Sequence, residues 1–160
     1  MARRILLLIT DLEIGGTPTV VRELATRLNA PPDVEVDVAC LAGWGPVAEQ
    51  LREAGVTVIL FEARGVWQFP SVMRQLVQLI RERGYDTVFS FLIHANAVAA
   101  AAARFCPPGV RFLQSIQTVQ PKPRWHWWLQ RLIHGRAEAI VCPSRAVADR
   151  ANCKIVCACR

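Results

Sequence analysis

The stretch RILLLITDLEIGGTPTVVRELATRL, residues 4–28, decides how the chain folds. Residues 4–10 form a short apolar run with the length and flanks of a strand buried on both faces, as in parallel sheets. Gly15 and Gly16 then turn the chain. Thr17 can cap a helix, and Pro18 suits its first position, where no amide hydrogen is needed. Beyond them Val20, Val21, Leu24, Ala25 and Leu28 return at helical spacing. Strand, glycine turn and helix make the opening half of a βαβ unit.

The same unit recurs along the chain. Further strands are expected at residues 34–41, 56–61, 86–92, 110–116 and 138–142. Between them helices are expected at 46–54, at 70–83 with Gly84 as the stop, at 94–105 and at 124–135, and a last one starts at Pro143-Ser144. Strict alternation with short connections predicts an α/β fold: a Rossmann-like, doubly wound parallel sheet of about six strands with helices on both faces. Ligands of such sheets sit at the carboxyl ends of the strands, near the point where strand order reverses. The loops after the first, fourth and fifth strands therefore hold the candidate site residues.

Composition narrows the function classes. A chain of 160 residues with 52% hydrophobic and 20% charged residues is a single packed domain rather than a disordered or low-complexity segment. Its net charge of +6 is uneven: residues 1–80 hold seven Lys/Arg against nine Asp/Glu, and residues 81–160 hold twelve against four. The basic second half either suits an anionic partner or is a solvated surface with no dedicated partner. No RNA-binding or helix-turn-helix pattern accompanies it, so nucleic acid is not expected as a partner. The apolar run at 5–9 is too short for an export signal, which makes a cytoplasmic chain with reduced thiols the expectation. The weakly polar stretch 87–104 contains Ser90, His94 and Asn96 and reads as a buried strand and an Ala-rich helix rather than a membrane span. Cys142, Cys153, Cys157 and Cys159 fit no pair of CxxC knuckles and have no neighbouring His, so no metal site is expected.

Taken in order, the segments ILLLITDLEIGGT (5–17), VVRELATRL (20–28), GPVAEQLREAGVTVILF (45–61), DTVFSFLIHANAVAA (86–100) and RAEAIVCPSRAVAD (136–149) resemble the N-terminal domain of family 4 (group 1) GT-B glycosyltransferases. The resemblance assigns residues 1–151 to that domain and leaves 152–160 as an atypical tail. It implies a retaining enzyme that moves a sugar from a nucleotide-sugar donor to a glycan or lipid-linked acceptor. In that family the N-terminal domain mostly binds the acceptor, and a second Rossmann-like domain, with two glutamates seven residues apart, holds the donor. No cofactor is implied beyond the nucleotide-sugar co-substrate. The chain alone is expected to be inactive, and a cytoplasmic protein at the inner face of the plasma membrane is one form this reading takes. Two other readings stay open: a non-catalytic subunit of a split glycosyltransferase that recruits a donor-binding chain, and an unrelated nucleotide-binding Rossmann domain.

The candidate site residues follow from the three loops. Gly15, Gly16 and Thr17 stand where backbone amides and a helix dipole favour an anion; the alternative is a tight turn that needs permissive dihedrals. The resemblance implies that this loop lies over the donor diphosphate, although relatives follow the glycines with Ala-Glu-Arg where this chain has Thr17-Pro18-Thr19. His94 and Asn96, after the fourth strand, either hydrogen-bond sugar hydroxyls or cap a helix. Gln117 stands where relatives carry a His that contacts the donor; an amide there can hydrogen-bond but cannot exchange protons near neutral pH. Trp125, Trp127 and Arg124 form either a patch for a lipid-linked acceptor or membrane interface, or part of a helix whose Trp125–Trp128–Leu129–Leu132–Ile133 stripe packs on the sheet.

Overall fold

Strand β1 (Arg3–Ile9) is the centre of the molecule. The computed structural model describes residues 3–116 and 137–142, and residues 155–157 as backbone. Side chains of β1 alternate between two cores. Leu7 and Ile9 pack with Val21 and Ala25 of helix α1 (Gly16–Leu28) and with Val47 and Leu51 of α2 (Pro46–Glu53). Leu6 and Leu8 pack on the other face with Val72, Leu76 and Ile80 of α3 (Phe69–Arg83) and with Ala95, Val98 and Ala102 of α4 (Ile93–Ala102). All four β1 residues are fully buried, and each such side chain contributes roughly 1.5–3 kcal/mol of transfer free energy. A run apolar at every position, rather than at alternate ones, is what a strand covered on both faces requires.

The remaining strands are β2 (Val34–Cys40), β3 (Thr57–Leu60), β4 (Thr87–Phe91), β5 (Arg111–Ser115), β6 (Ala139–Cys142) and β7 (Ile155–Cys157). They form one sheet in the order β3-β2-β1-β4-β5-β6-β7, parallel throughout. The expected doubly wound α/β architecture is therefore present, with seven strands among the described residues where the sequence predicts about six. The additional strand pairs with β6 and lies in the stretch 152–160, set apart above as a tail. From β1 the chain winds outward to β3, crosses back over β1 to β4, and winds outward on the other side. Strand order reverses between β1 and β4.

The helix starts differ in detail from expectation. Helix α1 begins at Gly16, with extended Gly15 as its N-cap, and Thr17 makes no capping bond. Instead the Gly15 carbonyl accepts the Thr19 amide at 3.1 Å and the Thr19 hydroxyl at 2.8 Å. Pro18 is thus the third helical residue, still within the first turn, where a missing amide hydrogen costs nothing. Helix α3 opens one residue before Pro70, after a 3-10 turn at Val66–Gln68, and closes on Gly84 in the left-handed conformation (φ 65°). The helices expected at 124–135 and after 143 lie outside the described residues.

At the amino end of the sheet a polar knot ties β2 to the α3–β4 turn. The buried Tyr85 hydroxyl donates to Asp37 Oδ2, and Arg83 reaches the same oxygen at 3.0 Å. Burial, and then the hydrogen bond to Asp37, push the Tyr85 phenol above its ordinary value. An acid whose folded pKa is raised favours the folded state below the unfolded value and loses that advantage as pH rises past it. Tyr85 is the single tyrosine of the chain. Tyrosinate absorbance should therefore be absent while the chain is folded and appear together with unfolding above pH ~10. Tyr85→Phe should cost roughly 1–3 kcal/mol in urea unfolding by leaving Asp37 short of a donor.

Candidate functional site

Crevices outside the strand ends form where neighbouring connections run to opposite faces, and here that point lies between β1 and β4. On one side stands the β1–α1 loop. Leu12 anchors it in the core, and its carbonyl accepts the Val47 amide at 3.1 Å. Gly45, the N-cap of α2, presses directly against it: a Cβ on Gly45 would lie 2.5 Å from the Leu12 oxygen and 2.7 Å from its carbonyl carbon. Only glycine fits there.

Gly15 and Gly16 are a different case. Gly15 has extended dihedrals that any residue adopts, and a Cβ on it would make an ordinary 3.6 Å contact with Pro18. A Cβ on Gly16 would meet nothing within 4 Å. Among the described residues, packing therefore does not call for glycine at either position. What the pair leaves is open space over the first turn of a 13-residue helix, whose amides lack intrahelical acceptors. That is the environment in which an anion is held by backbone donors and the helix dipole. Asp11 and Glu13 put negative charge in the same loop, so any attraction must come from the amides rather than from side chains.

Across the crevice, β4 passes into α4 through Leu92, whose φ of 70° and ψ of 157° are adopted by few residues other than glycine. Such a conformation costs on the order of 1–3 kcal/mol and persists only where its surroundings enforce it. The enforcing group is Asn96. Its backbone N–H donates to the Leu92 carbonyl at 2.9 Å, its Oδ1 accepts the Ser90 hydroxyl at 2.7 Å, and its Nδ2 donates to the Ser115 carbonyl at 3.2 Å. Asn96 is buried and ties β4, β5 and α4 together, whereas His94 is exposed at the crevice. Neither makes a side-chain cap of α4. The split follows from helix geometry, because residues two apart point about 200° away from each other.

Next to His94 a cavity of about 470 Å³ opens at the carboxyl ends of β1 to β4, on the α3/α4 side of the sheet. Its wall is mainly apolar, built by Leu41, Val66, Phe69, Val72, Ile93 and Val98, with Thr10, Arg64 and His94 as its polar members. The Thr10 hydroxyl is shut off from solvent and has no hydrogen-bond partner among the described residues. The loop 62–66 holds no site residue expected from the sequence, because it meets α4 only through the sheet order. Its available clue was Val66-Trp67, a pair of large exposed apolar residues in a loop.

A second cavity, of about 250 Å³, lies at the opposite end of the sheet among Arg4, Glu35, Asp37, Arg83 and Tyr85. Its charges are largely satisfied by one another, including Arg4–Glu35 at 2.8 Å. Cys40 is buried, and burial pushes its thiol up to about 11, which removes it as a nucleophile. Among the described residues no three His, Cys, Asp or Glu side chains gather as a metal site, and no helix is long and apolar enough to cross a membrane. Gln117, Arg124, Trp125 and Trp127 lie outside the described residues.

Residues 14–156 match the sequence profile of Glycosyltransferase Family 4. The chain belongs to this family. No curated protein sequence matches it. Among solved structures, this family-4 domain is similar to HepE of Anabaena, crystallised in complex with UDP (16% identity, TM-score 0.74, 93% of this chain and 40% of that one). It is similar also to a glycosyltransferase of Rickettsia africae (13%, TM-score 0.74, 98% and 42%) and to UDP-N-acetylglucosamine 2-epimerase of Rickettsia bellii (7%, TM-score 0.64, 95% and 42%). At these identities the likeness shows the fold alone, and that fold serves both transferases and an epimerase. The chain spans about 40% of the length of these structures.

Two pairs of substitutions separate the residues that this fold requires from those that it does not. Gly45→Ala should destabilise by roughly 1–3 kcal/mol through overpacking against Leu12, whereas Gly16→Ala should leave urea stability unchanged or raise it by up to ~1 kcal/mol. Asn96→Ala should cost roughly 1–3 kcal/mol and speed hydrogen exchange at the residue-96 amide that the Leu92 carbonyl accepts, while His94→Ala should do neither.

Proposed function

We propose that the chain is the acceptor-side, N-terminal half of a retaining glycosyltransferase that moves a sugar from a nucleotide donor to a glycan or lipid-linked acceptor. The observation that carries this reading is the crevice between β1 and β4: an open glycine-flanked helix N-terminus on one side, His94 on the other, and an apolar cavity beside it. Gly15, Gly16 and Thr17 would meet the donor diphosphate, most of whose binding falls to a second Rossmann-like domain. Transfer of this kind needs little covalent help from the protein. Amides and a helix dipole aimed at the leaving diphosphate stabilise the charge that develops on it, and fixed acceptor geometry supplies much of the remaining rate.

His94 acts here as a hydrogen-bond partner of a sugar hydroxyl, with Gln117 a second such partner. Asn96 serves as a positioning residue that holds the strained Leu92 turn and, through it, His94. Arg124, Trp125 and Trp127 would contact a lipid-linked substrate or the membrane interface of a cytoplasmic enzyme. The UDP bound by HepE makes UDP the first nucleotide to test.

The chain alone, given labelled UDP-glucose or UDP-N-acetylglucosamine and a panel of glycan and lipid-linked acceptors, should show no sugar transfer. Fused to the donor-binding half of a family-4 relative it should gain transfer, and Gly16→Val should lower kcat of the fusion by ~10²-fold or more, the scale set by removing one oxyanion donor. Transfer by the unfused chain would contradict the proposal, as would a fusion whose kcat ignores Gly16→Val.

A further inference from the structure

We infer that the 470 Å³ cavity beside His94 binds the apolar portion of an amphiphilic glycosyl acceptor, with Thr10 as the hydrogen-bonding group in its wall. This rests on the acceptor-side reading above and names the substrate class that reading leaves open. Cavities of this volume hold a drug-sized molecule, and their walls are mostly apolar with a few polar groups that fix orientation. A site for a bare hexose needs the opposite: a wall dense in donors and acceptors, since every sugar hydroxyl it desolvates must be paired. Here the wall offers Leu41, Val66, Phe69, Val72, Ile93 and Val98. A hydrocarbon or aryl group fills such a space with no polar debt, and its sugar or hydroxyl head stays at the mouth beside His94, where the donor end of the crevice begins.

Two further observations point to an occupant. The Thr10 hydroxyl is buried without a partner among the described residues, an arrangement that costs about 1–3 kcal/mol unless something answers it. Thr10 sits at the carboxyl end of β1, at the switch point itself, and lines the cavity. Its χ1 wells lie about 120° apart, and a change of rotamer is the step by which the hydroxyl would turn from this closed position toward an occupant. The mouth is apolar as well: Val66 is 80% exposed and Trp67 is 73% exposed, both on the loop that leads from β3 to α3. Large apolar residues displayed beside a cavity of the same character extend it as an entry surface for a molecule with a hydrocarbon part.

The test is an amide-resonance titration of the 160-residue chain with n-octyl β-D-glucoside below its micelle-forming concentration, and in parallel with glucose. The alkyl glucoside should give saturable shifts at Ala63, Gly65, Ile93, Ala97 and Val98, and glucose should give none at equal concentration. Ala97→Trp, which fills the cavity, should weaken binding at least ~10-fold. Thr10→Val, which keeps the shape and deletes the unpaired hydroxyl, should leave stability unchanged or higher and weaken binding roughly three- to tenfold. The inference is overturned if glucose binds as well as the alkyl glucoside, or if shifts are confined to Ile14 and Trp44 on the outer surface. Unchanged affinity in Thr10→Val removes the role given to Thr10, and a folded Ala97→Trp with unchanged affinity removes the cavity. Binding is read without donor, so transfer to free sugars by the fused enzyme without alkyl-glucoside binding would sink this inference and leave the proposed function standing.

Discussion

A strand covered on both faces has no side for solvent, and β1 is such a strand: Leu6 and Leu8 need one layer of helices, Leu7 and Ile9 another. A chain that starts from the middle of its sheet can supply both layers only by winding one way, returning, and winding the other. The reversal between β1 and β4 is thus forced by the apolar run at residues 5–9. The crevice comes with it, because the connections on either side of the reversal leave toward opposite faces. The glycine loop and the Leu92 turn face one another across that gap for the same reason that Leu7 and Leu8 are buried in different cores.

Precision at the crevice is supplied by contacts with no ligand role of their own. Gly45 lets the α2 N-terminus touch the Leu12 backbone and sets the height of the β1–α1 loop. Asn96 engages its side-chain amide with Ser90 and Ser115 and its backbone N–H with Leu92, which keeps a costly backbone conformation in place at the start of α4. A near-continuous alanine face on α4 lets that helix sit close enough to the sheet for these bonds to form. Residues that shape a site in this way resist detection by residue type, since a glycine cap and a buried asparagine look like ordinary punctuation.

The fold was legible because its determinants are local: apolar runs of strand length, helical repeats of Val21–Leu24–Ala25–Leu28 type, and Gly84 at a helix stop can each be read within a few residues. The seventh strand was not, since Ile155–Cys157 is too short to carry a pattern and exists through pairing with β6. In the site, the positions of Gly15, Gly16 and His94 were legible from their place after strands one and four. The room around the glycines was not, because it depends on what a Cβ would meet in space. The cavity was not legible either: residues 10, 41, 63–66 and 93–98 converge only once strand order is known.

Two cavities at opposite ends of one sheet offer a direct contest for the account. The end at β1 and β4 has backbone amides and open space, and the other end has arginines already paired with Glu35 and Asp37. Amide chemical-shift mapping of the chain with UDP and with pyrophosphate decides between them. The account predicts shifts centred on Gly16, Thr17 and Ile93–His94, lost in Gly16→Val. Shifts centred on Arg4, Glu35 and Arg83, unchanged by Gly16→Val, would contradict it.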